Sequence, residues 1–138
     1  MNDVTETRRI AAPPAAVEDA TTDLEAFVRS AGFDEVDVDG ETIRVANSVG
    51  IADIVLELEV VDREGAALAY EQREGIFGQM WTSYAVEARA DGEESEVIAQ
   101  TAFSLDVPVV GDVLDATLIE RQRRKELRAQ LDWLEAET

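Results

Sequence analysis

Along this chain the spacing of apolar residues changes twice. Val4 to Ile10, with Val, Thr and Ile, reads as a first strand. Ala11-Ala12-Pro13-Pro14 stops it, and Pro14 suits the first turn of a short helix over Ala15 to Ala20. Thr22 followed by Glu25 has the spacing of a capping box. Leu24, Phe27, Val28 and Ala31 then recur at helical spacing, and Gly32 ends that second helix.

From Val36 the period becomes two. Val36 and Val38 alternate with acids up to the Asp39-Gly40 turn, and Ile43, Val45 and Asn47 share one face. Ile54, Leu56, Leu58 and Val60 share a face with Glu57 and Glu59 opposite. Arg63-Glu64-Gly65 turns the chain, and Leu68, Tyr70 and Gln72 follow on one face. Gly75 and Gly78 mark a tight connection or bulge. Met80, Tyr84, Val86 and Ala88 make the next face, with Trp81 on the other side if the alternation is unbroken. After the Asp91-Gly92 turn, Val97, Ala99, Thr101, Phe103 and Leu105 make the last.

Pro108 and Gly111 close this run. Asp112 to Glu137 has neither Pro nor Gly, and Leu114, Leu118, Leu127, Leu131 and Leu134 recur at helical spacing. The spacing predicts a C-terminal helix of about seven turns, its apolar stripe interrupted from Glu120 to Glu126. Strand, two short helices, six meandering strands and a long helix make an α+β domain over 1–138. A sheet of about seven antiparallel strands twists and curls, and the long helix lies across its concave side.

Composition narrows the function. The chain has 31 Asp and Glu against 12 Lys and Arg, a formal net charge of −19. Self-repulsion of that size destabilises a compact state, and molar salt relieves it by shortening the Debye length to about 3 Å. Lys125 is the only lysine, and arginine, less strongly hydrated, pairs more readily with carboxylates. An acid-rich, lysine-poor chain fits a salt-in cytoplasm. Nucleic acid is not an expected partner, because phosphate needs a neutralising basic surface. The basic stretch Arg121, Arg123, Arg124, Lys125 and Arg128 reads as counter-charge to neighbouring acids.

There is no cysteine and no histidine, which removes thiol chemistry, the commonest metal ligand and the commonest general base. No phosphate-binding or dinucleotide fingerprint occurs, so no cofactor is expected, and no metal site. Asp34, Asp37 and Asp39 lie close in sequence but lack a calcium-loop pattern. No apolar run reaches the length of a membrane span, and the N-terminal segment lacks a secretory core. A cytoplasmic monomer is the expectation.

The run Thr7-Arg8-Arg9-Ile10-Ala11-Ala12-Pro13-Pro14-Ala15-Ala16-Val17 resembles the opening of the helix-grip superfamily, the START-like or SRPBCC group that includes polyketide cyclase/dehydrase-like proteins. Asp23 before Leu24 and Phe27, the segment Tyr70 to Phe77, the Asp91-Gly92 turn and the closing helix fit the same plan, although Gly92-Glu93 stands where several members have Gly-Thr. The resemblance covers nearly the whole chain. It implies a ligand cavity between sheet and C-terminal helix, and leaves activity open, since the fold hosts carriers, receptors and enzymes.

On that resemblance the expected lining is Phe27, Leu56, Leu58, Tyr70, Gln72, Met80, Tyr84, Phe103, Leu114 and Leu118. The same side chains would also make an ordinary core. Tyr70, Gln72, Tyr84, Asn47 and Thr101 are polar on otherwise apolar faces and would either orient a ligand or bond to backbone or water. Catalytic residues are not identifiable; Glu74 and Asp106 are the acids with the most apolar or glycine-rich neighbours. The expected function is binding or transport of an apolar or aromatic small molecule. A cyclase- or dehydratase-type enzyme and a protein-interaction module with a closed cavity are the alternatives.

Overall fold

The structure, a computed structural model, describes residues 1–105 and 115–138. Pro108, Gly111, Asp106 and Leu114 of the sequence reading therefore lie outside the described residues. Strand β1 (Asn2–Ile10) leads into helices α1 (Pro14–Thr21) and α2 (Leu24–Arg29). Strands β2 (Glu35–Asp39), β3 (Thr42–Val49), β4 (Ala52–Val60), β5 (Leu68–Glu74), β6 (Gln79–Arg89) and β7 (Glu94–Ser104) follow, then helix α3 (Ala116–Glu137).

The seven strands form one curved antiparallel sheet in the order β1-β7-β6-β5-β4-β3-β2. Consecutive strands are neighbours except that β7 pairs back with β1, with Val4 opposite Thr101 and Arg8 opposite Val97. Alternation sets one face of each strand inward. Ile43, Val45 and Val49 of β3 are buried, as are Ile54, Leu56 and Leu58 of β4 and Met80, Thr82 and Tyr84 of β6. Trp81 falls on the convex side, where the Arg63 guanidinium stacks over its ring at 3.8 Å. The β4–β5 register shifts between Glu57 and Leu58, the irregularity expected near Gly75.

Three boundaries differ from the sequence reading. The first helix begins at Pro14, with its proline at the first helical position. Thr22 is not an N-cap. Its backbone is still helical (φ −72°, ψ −20°) and its hydroxyl donates back to the Asp19 carbonyl at 2.6 Å, so it closes α1. The chain leaves the helical region at Asp23, whose carboxylate accepts from the Ala26 N–H. The described part of the long helix starts at Ala116, capped by Asp115 accepting from the Leu118 N–H at 2.8 Å, and has 22 residues rather than the longer span expected.

Helix α3 packs against β1, β7 and β3 on the concave side. Ile119, Leu127, Leu131 and Leu134 supply its apolar stripe. Arg124 and Arg128 both pair with Glu6 (3.3 and 2.5 Å), and Arg8 pairs with Asp132 and Glu135 (2.9 and 3.1 Å), fastening helix to edge strand.

Candidate functional site

The apolar stripe of α3 is interrupted by Arg123 and Glu126, and both face the sheet. They are 6% and 2% exposed. Their spacing keeps them on the buried side with Ile119, Leu127 and Gln130. Each donor and acceptor of the pair has a definite fate. Arg123 donates through one terminal nitrogen to Glu126 Oε1 and through the other to Thr82 Oγ1 at 3.0 Å. Glu126 Oε2 accepts from Asn47 Nδ2 at 3.1 Å and from Gln122 Nε2 at 3.0 Å. Thr101 donates to the Trp81 carbonyl, so the 3.0 Å contact between the two threonine hydroxyls is donated by Thr82. The Nε–H of Arg123 alone among the described buried side-chain polar atoms has no partner. Burial opposes the Arg123 charge, but Glu126, together with Tyr70 and Tyr84, outweighs it and raises the guanidinium pKa above its usual value.

A second polar string lies deeper. Tyr84 donates to Gln130 Oε1, Tyr70 donates to the Tyr84 oxygen at 2.9 Å, and Gln130 Nε2 reaches the Phe27 carbonyl at 3.4 Å. Phe27 packs edge-on against Tyr84, ring centroids 4.8 Å apart.

Between the α3 N-terminal half and strands β3 and β4 is a hollow. It is lined by Val45, Val49, Ile54, Leu56, Phe33, Phe77 and Ile119, with Asn47, Gln122, Arg123 and Glu126 as its polar margin. The hollow is narrow: its cavity volume is about 30 Å³. By that measure the interior admits one or two waters. Phe77 is brought in by a bend after β5. Gln72 Nε2 donates to the Phe77 carbonyl at 2.8 Å and Gln72 Oε1 accepts from the Phe77 N–H at 3.2 Å. A Cβ at Gly75 would meet the ends of the Gln72 and Leu56 side chains, so a larger residue there would have to push aside the groups that shape the bend and the hollow.

Of the expected lining residues, Leu56 faces the hollow. Phe27, Leu58, Tyr70, Met80, Tyr84 and Phe103 are buried in the surrounding core. Gln72 acts through Phe77. Leu118 is half-buried toward the β3–β4 turn at Gly50, and its neighbour Ile119 takes the hollow-facing place. Leu114 lies outside the described residues. Of the two acids singled out, Glu74 is exposed on β5 and is not among the residues lining the hollow, and Asp106 lies outside the described residues. Asn47, Tyr70, Gln72, Tyr84 and Thr101 all point inward to protein partners. Arg123, Glu126 and Gln130 were missed, because a charged stretch on a helix reads as solvated. Their common face with Ile119, Leu127 and Leu131 was the available signal. Among the described residues no group of acids is placed to hold a metal ion, and no helix is long and apolar enough to cross a membrane.

A family model described as "Polyketide cyclase / dehydrase and lipid transport" matches residues 1–138. The chain belongs to this family. Family membership carries ligand-binding or cyclase-type roles in general terms. No curated protein matches the sequence. Among solved structures the fold is shared with the ZhuI aromatase/cyclase of a Streptomyces species, at 19% identity and a TM-score of 0.76 over 97% of this chain and 93% of that one. A Thermus thermophilus protein is similar at 20% identity and 0.74 over 99% and 96%. A START superfamily protein from Mycobacterium smegmatis is similar at 12% identity and 0.68 over 97% and 94%. At these identities the likeness is one of fold, and it agrees with the helix-grip architecture read from the sequence.

Proposed function

We propose that this family member binds or carries an apolar or aromatic small molecule in the hollow between β3, β4 and α3. The observation that carries the reading is the lining: aliphatic and aromatic side chains on most sides, and a short polar margin held in fixed orientation by the Arg123–Glu126 pair. The narrow interior means that a ligand of ordinary size enters only if α3 or the Phe77 bend gives way. Among the described residues, the one acid facing the hollow, Glu126, already accepts three hydrogen bonds, and the sequence has no histidine. Those facts favour binding over catalysis. We also read the acidic surface as adaptation to molar salt, and the protein as a cytoplasmic monomer.

The test is displacement of a fluorescent apolar dye. Ile119→Trp fills the hollow from the helix and Leu56→Phe fills it from the sheet. Dye binding is expected to fall by about tenfold or more in each variant with the circular-dichroism spectrum unchanged, a loss of contact area of the size given by burying a side chain. Full dye affinity in both folded variants would falsify the assignment. Native mass spectrometry of protein from its own cell then looks for the retained molecule.

A further inference from the structure

We infer that the hollow selects an apolar molecule bearing a neutral oxygen acceptor, such as a ketone, ester or amide, over the corresponding carboxylate. This rests on the ligand-binding reading above and goes on to the chemistry of the ligand's polar end.

Among the described residues, the buried polar atom that this margin leaves without a partner is a donor. Both oxygens of Glu126 are occupied, Oε1 by Arg123 and Oε2 by Asn47 and Gln122. On the donor side Arg123 keeps its unpaired Nε–H, on a side chain that is itself 6% exposed and lines the hollow. Asn47 and Gln122 each have two amide N–H groups and give one to Glu126. Asn47 and Gln122 also keep a free amide oxygen each, but both side chains are only half-buried, so the one fully buried atom of the margin left without a partner is the Arg123 donor, and an incoming oxygen acceptor answers it. A pure hydrocarbon would leave that donor unpartnered, which is penalised.

The charge count decides which acceptor. Among the described lining residues Arg123 is the only cation and Glu126 the only anion, and the two charges offset each other before any ligand enters. A carboxylate would bring an uncompensated negative charge into a desolvated site, inside a molecule whose formal net charge is already −19. A neutral carbonyl accepts the same hydrogen bond without that cost. Thr82 and Glu126 hold the guanidinium from two sides, so Arg123 is already oriented when the acceptor arrives.

Three probes of one skeleton separate the possibilities: 2-acetylnaphthalene, 2-ethylnaphthalene and 2-naphthoate, titrated calorimetrically at pH 7 in molar KCl. The ketone is expected to bind about tenfold more tightly than the hydrocarbon and than the carboxylate. In Arg123→Met/Glu126→Gln, which removes both charges together, the ketone's advantage over the hydrocarbon is expected to vanish. If that double variant does not fold, Asn47→Leu is used instead and is expected to diminish the advantage. Equal binding of ketone and hydrocarbon by the unmodified protein would overturn this inference and leave the hollow as a binding site. Tightest binding of the carboxylate would overturn it as well, making Arg123 an anion receptor. Failure of all three to bind would remove the ligand-binding reading itself.

Discussion

At the scale of single residues, the Arg123–Glu126 pair is the feature with the largest consequence. Neither charge is solvated, so each depends on the other. Arg123→Met alone leaves a buried carboxylate with only amide partners and is expected to cost about 3–5 kcal/mol in urea unfolding. Adding Glu126→Gln to that variant is expected to recover most of the loss, because an uncharged amide still accepts from Asn47 and Gln122. A double variant no more stable than the single one would mean that the pair does not act as a unit. Tyr84 gives a pH dependence. Burial first, and then the neighbouring Tyr70, raise its pKa well above the ordinary tyrosine value, against the opposing pull of Arg123. A proton held more tightly in the folded chain contributes fully below pH about 10 and is lost as pH rises beyond that. Unfolding midpoints are expected to fall above pH 10, and less steeply in Tyr84→Phe. Sequence alone brought Tyr70, Tyr84, Thr101, Gln72 and Asn47 to the inner face, because strand alternation fixes the side on which a residue stands. It could not say that their partners would be protein groups, since pairing depends on which turn of α3 lies above each strand.

At the scale of elements, the sheet was legible almost strand by strand, and turns such as Asp39-Gly40 were marked by their residues. Helix starts were less so. Two neighbouring residues, Thr22 and Asp23, both have capping side chains, and only the backbone angles show which one leaves the helix. At α3 the cap is Asp115, and Asp115→Ala is expected to lower stability by about 1 kcal/mol, measured by thermal melting. Because Leu118 and Ile119 follow directly, this change is also expected to weaken dye binding slightly. A loss of binding with no change in melting would place Asp115 in contact with ligand instead. The hollow itself was not legible. Leu56 and Ile54 share a face with Leu58, but only the register shift and the Gly75 bend decide which of them borders open space.

At the scale of the whole molecule, charge dominates. Ion pairs between α3 and β1 are mostly at the surface, where each is worth about 0–1 kcal/mol. Salt screens these, but it also screens the repulsion among a much larger number of acids, and the second effect is expected to win. The melting temperature is expected to rise by about 5–10 °C between 0.1 M and 2 M KCl, corresponding to about 2 kcal/mol. A melting curve that does not move would count against salt adaptation. The sheet's last strand carries a further implication. β2 ends the strand order, and its five residues, Glu35-Val36-Asp37-Val38-Asp39, are acidic at every second position. The Arg29 guanidinium of α2 already takes the Val36 carbonyl at 2.9 Å, and the alternating carboxylates charge the strand, so a further strand finds little purchase along that border.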